Sequence, residues 1–414
     1  MLSRRITYYI KALSGSFDVS LLCLKDAEHP HIERYGKARI LRVPLKHKTL
    51  QQRMEQFERA IRRQLESEEY AIVHCFDFVS GRVLAELKKQ LGYQLIFEAT
   101  TLSSQEWPHN PLEPALSAKS LDTITAEETY TASHANVLIV ASKQQKKYFL
   151  RKGFLRTPVH VLFHPSLPRK GMSAQPTARF QFLHLGGQSQ LTSLQTTFNA
   201  FKAIPPESKI QLAFGGHYSA QSKAYLTALR ETLNLKETIW PTLRHETEVS
   251  VLCAQANAAL LTLEDEPRNV SFGGSMPELA DFFAWGLPIV ASDLPCTREF
   301  LNEKDALFFA PGNSTMLAER MKTLAASPQL QTQLAFASKA KAAAFEPARF
   351  IHETLRIYHP WLDKKSAPSA QLLESWPEIT PSRAKTTSCP SASSSRLEHE
   401  TIIVPPASFS LPPK

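Results

Sequence analysis

The residue types and spacing that best fit a chemical role lie between Arg268 and Pro295. Gly273, Gly274 and Ser275 form a glycine-rich loop, and a helical pattern follows from Pro277 to Trp285. A loop that leads into a helix N-terminus presents free backbone N–H groups and the positive end of the helix dipole. This pattern therefore predicts a phosphate-binding site.

Polar side chains flank this loop. Arg268 and Asn269 precede it and carry hydrogen-bond donors suited to phosphate oxygens, and acidic side chains in the first turns of the helix, such as Asp281, are suited to accept hydrogen bonds from hydroxyls of a ribose or a sugar. Glu278 suits the helix dipole, but its negative charge would repel a phosphate bound a few Å away by about 1 to 4 kcal/mol. The alternatives are an ordinary surface charge for Arg268 and an ordinary helix carboxylate for Asp281.

Two further polar residues, His74 and Glu98, each close a predicted strand. In an open parallel sheet this position faces the ligand. Either side chain is able to orient a substrate hydroxyl, and Glu98 would act as a base if burial raised its pKa. For both residues, a hydrogen-bonded polar group at a strand end is an equally good interpretation.

The elements that must position these residues alternate between short apolar runs and longer helical patterns. This alternation predicts parallel sheets covered by helices, arranged as two doubly wound units of an α/β protein. The strands are predicted at Val19–Leu24, Ala38–Val43, Ile72–Cys75, Gln94–Glu98, Val137–Ala141, Val159–Phe163, Phe180–Leu185, Lys209–Phe214, Thr238–Trp240, Ala258–Leu263, Ile289–Ala291 and Ala306–Phe309.

The composition suggests where the domains begin and end. We expect a Rossmann-like domain over residues 1–166, a linker over 167–177, and a second Rossmann-like domain over 178–345. A helix over 346–365 is expected to pack back on the first domain. Residues 366–414 are rich in Pro and Ser and are expected to be disordered, although the final ETIIVPPASFSLPP would alternatively be a short docking motif.

The beginning of the sequence departs from the pattern of a doubly wound domain. Such a domain opens with a central strand and a glycine-rich turn, whereas here a helical pattern, Arg4–Leu13, directly precedes the strand Val19–Leu24. The central strand is therefore expected to lie upstream of the given sequence or to have been lost by truncation.

Overall composition narrows the class of protein and its compartment. The 414 residues are 43% hydrophobic, but no run approaches the roughly 18 apolar residues of a membrane span, and Lys11 interrupts any signal-peptide core. The five cysteines show no metal-ligand spacing. We therefore predict a cytoplasmic protein. Its net charge of +9 favours phosphates, nucleotides or an anionic surface, and the basic segments Lys143–Lys152 and Gln51–Arg63 are either solvated helix faces or a contact with anionic lipid.

The segment from Gly286 to Pro295 resembles the family 4 glycosyltransferases, retaining enzymes with two Rossmann-like domains that face a cleft, the GT-B fold. Their pattern runs approximately P-x-K-x-x-E-x-M-A-x-G-x-P-V-V-A-S-D-x-P. The matching residues are Gly286, Pro288, Ile289, Val290, Ala291, Ser292, Asp293 and Pro295. Further similar segments, in the same order as in the family, are Ile72–Asp77, Leu95–Thr100, Ala141–Gly153, Phe182–Phe201 and Leu212–Gly216. The resemblance covers about residues 4 to 362.

The sequence also departs from this family at the donor site. The family's diphosphate-binding Arg and Lys fall on Gly187 and Thr192, its two glutamates on Gly273 and Asp281, and a common Lys on Glu278. Substitute donors for phosphate oxygens are available nearby. They are Arg268 and Asn269 before one loop, and His184 and Gln188 beside the other. For His184, which lies within a strand pattern, a hydrogen-bonded structural histidine is the favoured alternative.

The resemblance implies transfer of a hexose from a nucleotide-diphosphate sugar to a saccharide or lipid-linked acceptor, in cell-surface polysaccharide or glycolipid synthesis. Gly186, Gly187 and the loop Gly273–Ser275 would hold the diphosphate, and Asp281 the ribose. No cofactor, metal ion or nucleic acid is expected. The alternatives are a catalytically inactive relative that serves as a binding or scaffold protein and, less strongly indicated, a nucleotide-sugar epimerase of the same fold.

Overall fold

The structure is a computed structural model, and it describes residues 2–25, 29–44, 50–109, 117–154, 156–169, 173, 177–186, 194–216, 224, 226–228, 231–232, 238–239, 246–361 and 400–404. Its contacts divide the chain into two compact units. Unit A comprises Leu2–Glu98, Glu127–Leu138 and Ile351–Lys414, and unit B comprises Ala99–Ala126 and Ile139–Phe350. The domain boundaries expected from the sequence differ from this division and stay a prediction.

Strands and helices alternate along the described chain, as predicted. The strands are β1 (Asp18–Leu24), β2 (Ile32–Tyr35), β3 (Ala38–Val43), β4 (Ile72–Cys75), β5 (Gln94–Glu98), β6 (Val137–Val140), β7 (Val159–Val161), β8 (Phe180–Leu185), β9 (Ile210–Gly215), β10 (Thr238–Ile239), β11 (Ala258–Leu261), β12 (Ile289–Ser292), β13 (Ala306–Phe309) and β14 (Glu400–Val404). Each predicted strand is present, with ends that differ by at most about two residues, within the usual uncertainty of such boundaries.

The helices cover the sheets. They are α1 (Leu2–Leu13), α2 (Leu50–Ser67), α3 (Phe78–Leu91), α4 (Ser103–Glu106), α5 (Ala118–His134), α6 (Lys143–Arg151), α7 (Leu194–Lys202), α8 (Glu246–Gln255), α9 (Pro277–Trp285), α10 (Pro295–Arg298), α11 (Ser314–Ala326), α12 (Pro328–Lys341) and α13 (Pro347–Tyr358). Among the residues that the structure describes, no helix combines the length and apolar character needed to cross a membrane.

Two sheets organise the chain. An eight-stranded sheet has the order β2-β3-β1-β14-β4-β5-β6-β7, and a six-stranded sheet has the order β10-β9-β8-β11-β12-β13. Strand β2 pairs antiparallel with β3, whereas β1, β3, β14, β4 and β5 pair in parallel, as do the strands of the second sheet. These are the parallel, doubly wound sheets of the predicted α/β class.

The centre of the first sheet is filled by the C-terminal part of the chain. Strand β14 lies between β1 and β4 and pairs in parallel with both. For Glu400–Val404 the prediction of an unstructured end is therefore wrong, because the β-branched run Thr-Ile-Ile-Val is a strong strand former once two neighbours are available. The rest of the tail, 362–399 and 405–414, lies outside the described residues.

The six-stranded sheet has an apolar core on each face. Side chains of successive strand residues point to opposite faces, so Ala259 and Leu261 of β11 join one core, and Ala258 and Leu260 join the other. The first core includes Leu279 of α9. Burial on both faces explains why these strands read as continuous apolar runs.

Helix α2, predicted as a basic amphipathic helix, turns its apolar side inward. Phe57, Ile61 and Leu65 are buried. On its outer side Arg62 forms ion pairs with Glu58 and with Glu86 of α3, at 3.1 and 2.8 Å. Its apolar side is thus used for packing within unit A.

Candidate functional site

The glycine-rich loop of unit B follows a turn of π-helix, Arg268–Phe272. Gly273 ends this turn with φ 84°, a left-handed conformation that favours glycine, and its N–H donates to the Arg268 carbonyl at 3.0 Å. A Cβ at Gly273 would lie 2.7 Å from Cβ of Gln144. Both the backbone conformation and the close packing therefore require glycine at this position.

Arg268 lies directly on this loop. It is 8% exposed, and its Nε donates to Glu106 Oε1 at 2.7 Å. Its Nη1 donates to Asn269 Oδ1 at 3.0 Å, and its Nη2 to the Ser275 carbonyl at 3.4 Å. A Cβ on Gly274 would come within 1.7 Å of Nη1. The guanidinium is thus held against the loop by three groups, with glycine leaving the space for it.

Helix α9 begins and ends where the sequence predicts. Pro277 occupies its first turn, and Gly286 ends it in a left-handed conformation, with φ 65°. Met276 at the N-cap position makes no side-chain cap. Pro277 has no N–H, and the Leu279 N–H donates to the Met276 carbonyl at 3.2 Å, so what the start of α9 presents to the glycine-rich loop is chiefly the positive end of the helix dipole.

A small pocket in unit B opens beside this loop, with room for little more than a single water molecule. Its wall includes Ser142, His164, Gly274, Ser275 and Phe300. Nε2 of His164 is hydrogen-bonded to Oγ of Ser275. The predicted loop residues Gly274 and Ser275 thus line a cavity, together with a histidine that the sequence did not single out.

The two acidic residues of α9 differ in their surroundings. Asp281 is fully buried, and its Oδ1 accepts a hydrogen bond from the Leu167 backbone N–H at 2.8 Å. Burial raises the pKa of Glu278 and the nearby Asp281 adds to this effect, whereas a hydrogen bond from its own backbone N–H and the charge of Arg268 oppose it, and the resulting pKa is about 7. Near neutral pH Glu278 is therefore partly protonated, which weakens the repulsion expected between this side chain and a diphosphate.

The second predicted loop, after β8, begins at Gly186 with φ 154°. His184 in β8 is 2% exposed, and its Nε2 lies 3.6 Å from where a Cβ of Gly186 would stand. Nε2 has no hydrogen-bond partner among the described residues. Burial lowers the pKa of His184 to about 4, so the ring is neutral at pH 7.

The protonation state of His184 follows from its neighbours. Thr197 donates its hydroxyl hydrogen to Thr262 Oγ1 at 3.0 Å, and Thr262 Oγ1 lies 3.4 Å from His184 Nδ1. Since Thr262 accepts from Thr197, its own hydroxyl hydrogen is free to point to Nδ1, which then acts as the acceptor. In a neutral imidazole the proton is then on Nε2. In this tautomer, one of the two that the contact with Thr262 allows, His184 directs an N–H donor towards Gly186.

The two loops share one edge of the six-stranded sheet, because β8 and β11 are parallel neighbours. The segment after β11 links them: Thr262 contacts His184, and the Glu264 carbonyl accepts from Nδ2 of buried Asn269 at 2.9 Å. Asn269 in turn holds Arg268. The predicted residues Gly187 and Gln188 lie outside the described residues.

The predicted pair in unit A is brought together in a closed cluster. His74 and Glu98 are 0% and 1% exposed, and His74 Nε2 lies 3.4 Å from Glu98 Oε2. Arg5 Nε donates to Glu98 Oε1 at 2.6 Å, and the Tyr9 hydroxyl donates to Oε2 at 2.5 Å. The Tyr358 hydroxyl lies 2.8 Å from His74 Nδ1.

The charges in this cluster are balanced internally. Burial alone would raise the pKa of Glu98, but the Arg5 charge and hydrogen bonds from its neighbours outweigh burial, and the pKa is lowered. Burial lowers the pKa of His74. A role of Glu98 as a general base was expected only if burial raised its pKa, whereas its pKa is lowered. Whether His74 or Glu98 contacts a substrate stays a prediction.

Sequence reasoning missed three residues that shape these sites: Glu106, His164 and Arg5. Glu106 and His164 meet their partners Arg268 and Ser275 across 162 and 111 positions of the chain. Arg5 stood in a basic, helical N-terminal segment that resembled surface. The only available signal was its i, i+4 spacing to Tyr9, which places both on one side of α1.

Comparison with known proteins gives a family for part of the chain. Residues 2–163 match the glycosyl transferase 4-like domain. No curated protein matches the chain. Among the described residues, no group of three or more His, Cys, Asp or Glu side chains is placed to hold a metal ion.

Solved structures with the same fold match most of the chain. Sucrose-phosphate synthase from Thermosynechococcus elongatus is 18% identical, with a TM-score of 0.71 over 86% of this chain and 92% of its own. HepE from Anabaena, solved in complex with UDP-glucose, is 13% identical, with a TM-score of 0.63 over 82% and 99%. WaaG, a glycosyltransferase involved in lipopolysaccharide biosynthesis, is 14% identical, with a TM-score of 0.63 over 86% and 95%.

Proposed function

We propose that the chain, a GT-B protein with a family 4-like glycosyltransferase domain, transfers a hexose from a nucleotide-diphosphate sugar to a saccharide or lipid-linked acceptor. The observation that carries this proposal is the position of Arg268. Its guanidinium packs against Gly274 of the glycine-rich loop, next to the N-terminus of α9, which has no side-chain cap. A guanidinium, a glycine-rich loop and the positive end of a helix dipole together suit a diphosphate leaving group.

In the proposed mechanism, unit B binds the leaving group. Arg268 and the backbone of Gly274 and Ser275 contact one part of the diphosphate, and the Nε2–H of His184 donates to another part near Gly186. Neutral His184 adds a directed donor without placing a buried charge. As the bond from the sugar to the diphosphate breaks, negative charge grows on the leaving oxygen, and fixed donors stabilise that charge.

Asp281 was expected to bind the ribose. In the structure its Oδ1 accepts from the Leu167 N–H, and the carboxylate is fully buried. The ribose contact stays a prediction. An Asp281→Asn variant tests it by comparing the affinity for the nucleoside diphosphate with the affinity for inorganic pyrophosphate, because only the first ligand has a ribose.

The central experiment is calorimetric titration of the purified protein with UDP, GDP and ADP, followed by hydrolysis assays with the sugar donors. We expect one nucleotide to bind at micromolar to low millimolar concentration and its sugar donor to be hydrolysed slowly. Failure of all three nucleotides to bind at millimolar concentration contradicts the proposal.

A second function, a non-enzymatic binding or scaffold role, is favoured by one observation. Glu98 is held by Arg5 and Tyr9, His74 contacts Tyr358 through Nδ1, and the pKa values of both residues lie below their usual ranges. Nucleotide binding without donor hydrolysis and without transfer to any acceptor would support this function over the first.

We further propose that the reaction takes place in the cytoplasm, without a metal ion, for cell-surface polysaccharide or glycolipid synthesis. The net charge of +9 suits peripheral contact with an anionic membrane. Donor hydrolysis that survives excess EDTA supports metal independence. Sedimentation with phosphatidylglycerol vesicles, but not with phosphatidylcholine vesicles, supports the membrane contact.

A further inference from the structure

The central strand of unit A comes from the far end of the chain. Residues Glu400 to Ile403 of β14 pair with Asp18 to Leu21 of β1, and residues Thr401 to Val404 pair with Ile72 to Cys75 of β4. All these pairings are parallel. The backbone of β14 therefore has a hydrogen-bonding neighbour on both sides.

The position of β14 is that of the first strand in a doubly wound unit. From β14 the sheet runs to β1 and β3 on one side and to β4, β5, β6 and β7 on the other. In such a unit the first strand is central and is followed by a helix and then by the neighbouring strand. Here α1 and β1 supply the helix and the neighbour, whereas the first strand follows them by nearly the whole chain.

An empty space between β1 and β4 would be unfavourable. Leu21 and Leu22 of β1 and Ile72 and Val73 of β4 are between 0% and 4% exposed. Without β14, two facing rows of backbone N–H and C=O groups would lack partners, and unpaired buried backbone groups are strongly unfavourable. A further strand-forming segment of matching length and direction is therefore needed between β1 and β4, and Glu400–Val404 provides it.

We propose that the space between β1 and β4 is a strand-binding slot, and that its occupant is the chain's own segment Glu400–Val404. This segment acts as an intramolecular ligand that completes unit A. The covalent connection permits this, because the 38 residues between Trp361 and Glu400 reach at most roughly 130 Å when extended, whereas eight strands span only about 38 Å.

The test uses the full chain with Ile402→Pro, since proline removes one ladder hydrogen bond and is excluded from central strands. The matched control is Ser394→Pro, which introduces the same residue outside β14. We expect Ile402→Pro to lower the melting temperature of unit A by 10 °C or more, or to abolish its transition, while Ser394→Pro stays within 2 °C of the parent.

A rescue variant distinguishes loss of the strand from the slot from an unspecific destabilising effect of the proline. In this variant a second copy of residues 398–414 is placed directly before Met1 of the Ile402→Pro chain. The copy then precedes α1, as the first strand of a doubly wound unit does, and we expect it to restore the melting temperature. A copy that carries the same Ile402→Pro change should restore nothing.

Hydrogen exchange on the unmodified chain gives an independent measurement. The amides of residues 401–404 should exchange at least a hundredfold more slowly than those of an unstructured peptide, at all protein concentrations. Unprotected amides in this segment, or equal melting temperatures of the two proline variants, would overturn the proposal. Protection that disappears on dilution, together with a change from dimer to monomer, would overturn its intramolecular part.

Discussion

The guanidinium of Arg268 occupies the space that a side chain on Gly274 would need. A Cβ at Gly274 would lie 1.7 Å from Nη1 and 2.2 Å from Cζ of Arg268. Hydrogen bonds to Glu106, Asn269 and the Ser275 carbonyl hold the arginine in this place. The guanidinium of Arg268 is able to occupy this position because residue 274 is glycine and has no Cβ.

The first prediction concerns this contact. Gly274→Ala should displace Arg268 and weaken nucleoside diphosphate binding by roughly 10- to 100-fold, the usual effect of losing charge-assisted hydrogen bonds. Arg268→Ala should have a similar effect. In the Arg268→Ala background, adding Gly274→Ala should change affinity by less than about twofold, because the clash no longer exists. Additive losses in calorimetric titrations would show that the two residues act separately.

The second prediction concerns Glu278, whose pKa is raised to about 7. As pH rises through 7 the carboxyl loses its proton, and its negative charge then repels the diphosphate. Compared with Glu278→Gln, the parent should therefore lose about tenfold in affinity between pH 6 and 8, since 1.4 kcal/mol corresponds to a factor of ten. The Gln variant is the control for titration of the nucleotide itself. Identical pH profiles of the two proteins would contradict this role.

The third prediction concerns His184. Its pKa of about 4 in the folded protein, against 6.5 when unfolded, means that the unfolded state binds more protons between these values. The contribution of His184 to the free energy of unfolding should therefore be fully present above pH 6.5 and be lost as the pH decreases towards 4. The loss from this residue is on the order of 3 kcal/mol. His184→Gln should flatten the profile measured by urea unfolding, while His352→Gln, at a 74% exposed side chain, should leave it unchanged.

Two substitutions of His184 test whether this residue contacts the bound nucleotide. If Nε2–H contacts the diphosphate, His184→Phe should reduce nucleotide affinity by about tenfold. The measurement is made at pH 8, where His184 is neutral in the folded and the unfolded protein. His184→Gln should retain part of the affinity, because its amide also donates a hydrogen bond. Equal affinity of all three proteins would leave His184 with a purely structural role.

The fourth prediction concerns the buried ion pair of Arg5 and Glu98, whose side chains are both 0% exposed. Glu98→Gln leaves the guanidinium without its countercharge and should destabilise unit A by about 3 to 5 kcal/mol. Glu86→Gln removes a partner of Arg62 on the surface and should cost less than about 1 kcal/mol. Chemical denaturation of both variants checks the contrast. A small effect of Glu98→Gln would show that water reaches this cluster.

Much of the fold was predictable because its signals are local. Helix α9 was predicted with the correct ends, since Pro277 and Gly286 mark them chemically. Strand β2 was missed because Ile32–Tyr35 is an edge strand whose Ile32 is 66% exposed, so it lacks a buried apolar run. Strand β14 was missed because the Pro- and Ser-rich composition before it dominated the interpretation of the whole tail.

The sites were less predictable because contacts distant in sequence define them. The sequence identified Arg268 and the glycine-rich loop, but not that Glu106 would orient the guanidinium. It also placed His74 and Glu98 at strand ends, and the structure brings them together. Their partners are distant in sequence, since Arg5 and Tyr9 donate to Glu98 and the Tyr358 hydroxyl contacts His74.

The place of β14 also affects how the protein is synthesised. Because β1 precedes it by nearly 380 residues, the first sheet cannot close until the ribosome has produced almost the entire sequence. At typical elongation rates, roughly 20 to 80 s pass before that strand emerges. During this time the edges of β1 and β4 are open to foreign strands, so newly made chains should depend on chaperones and refold slowly after dilution from denaturant.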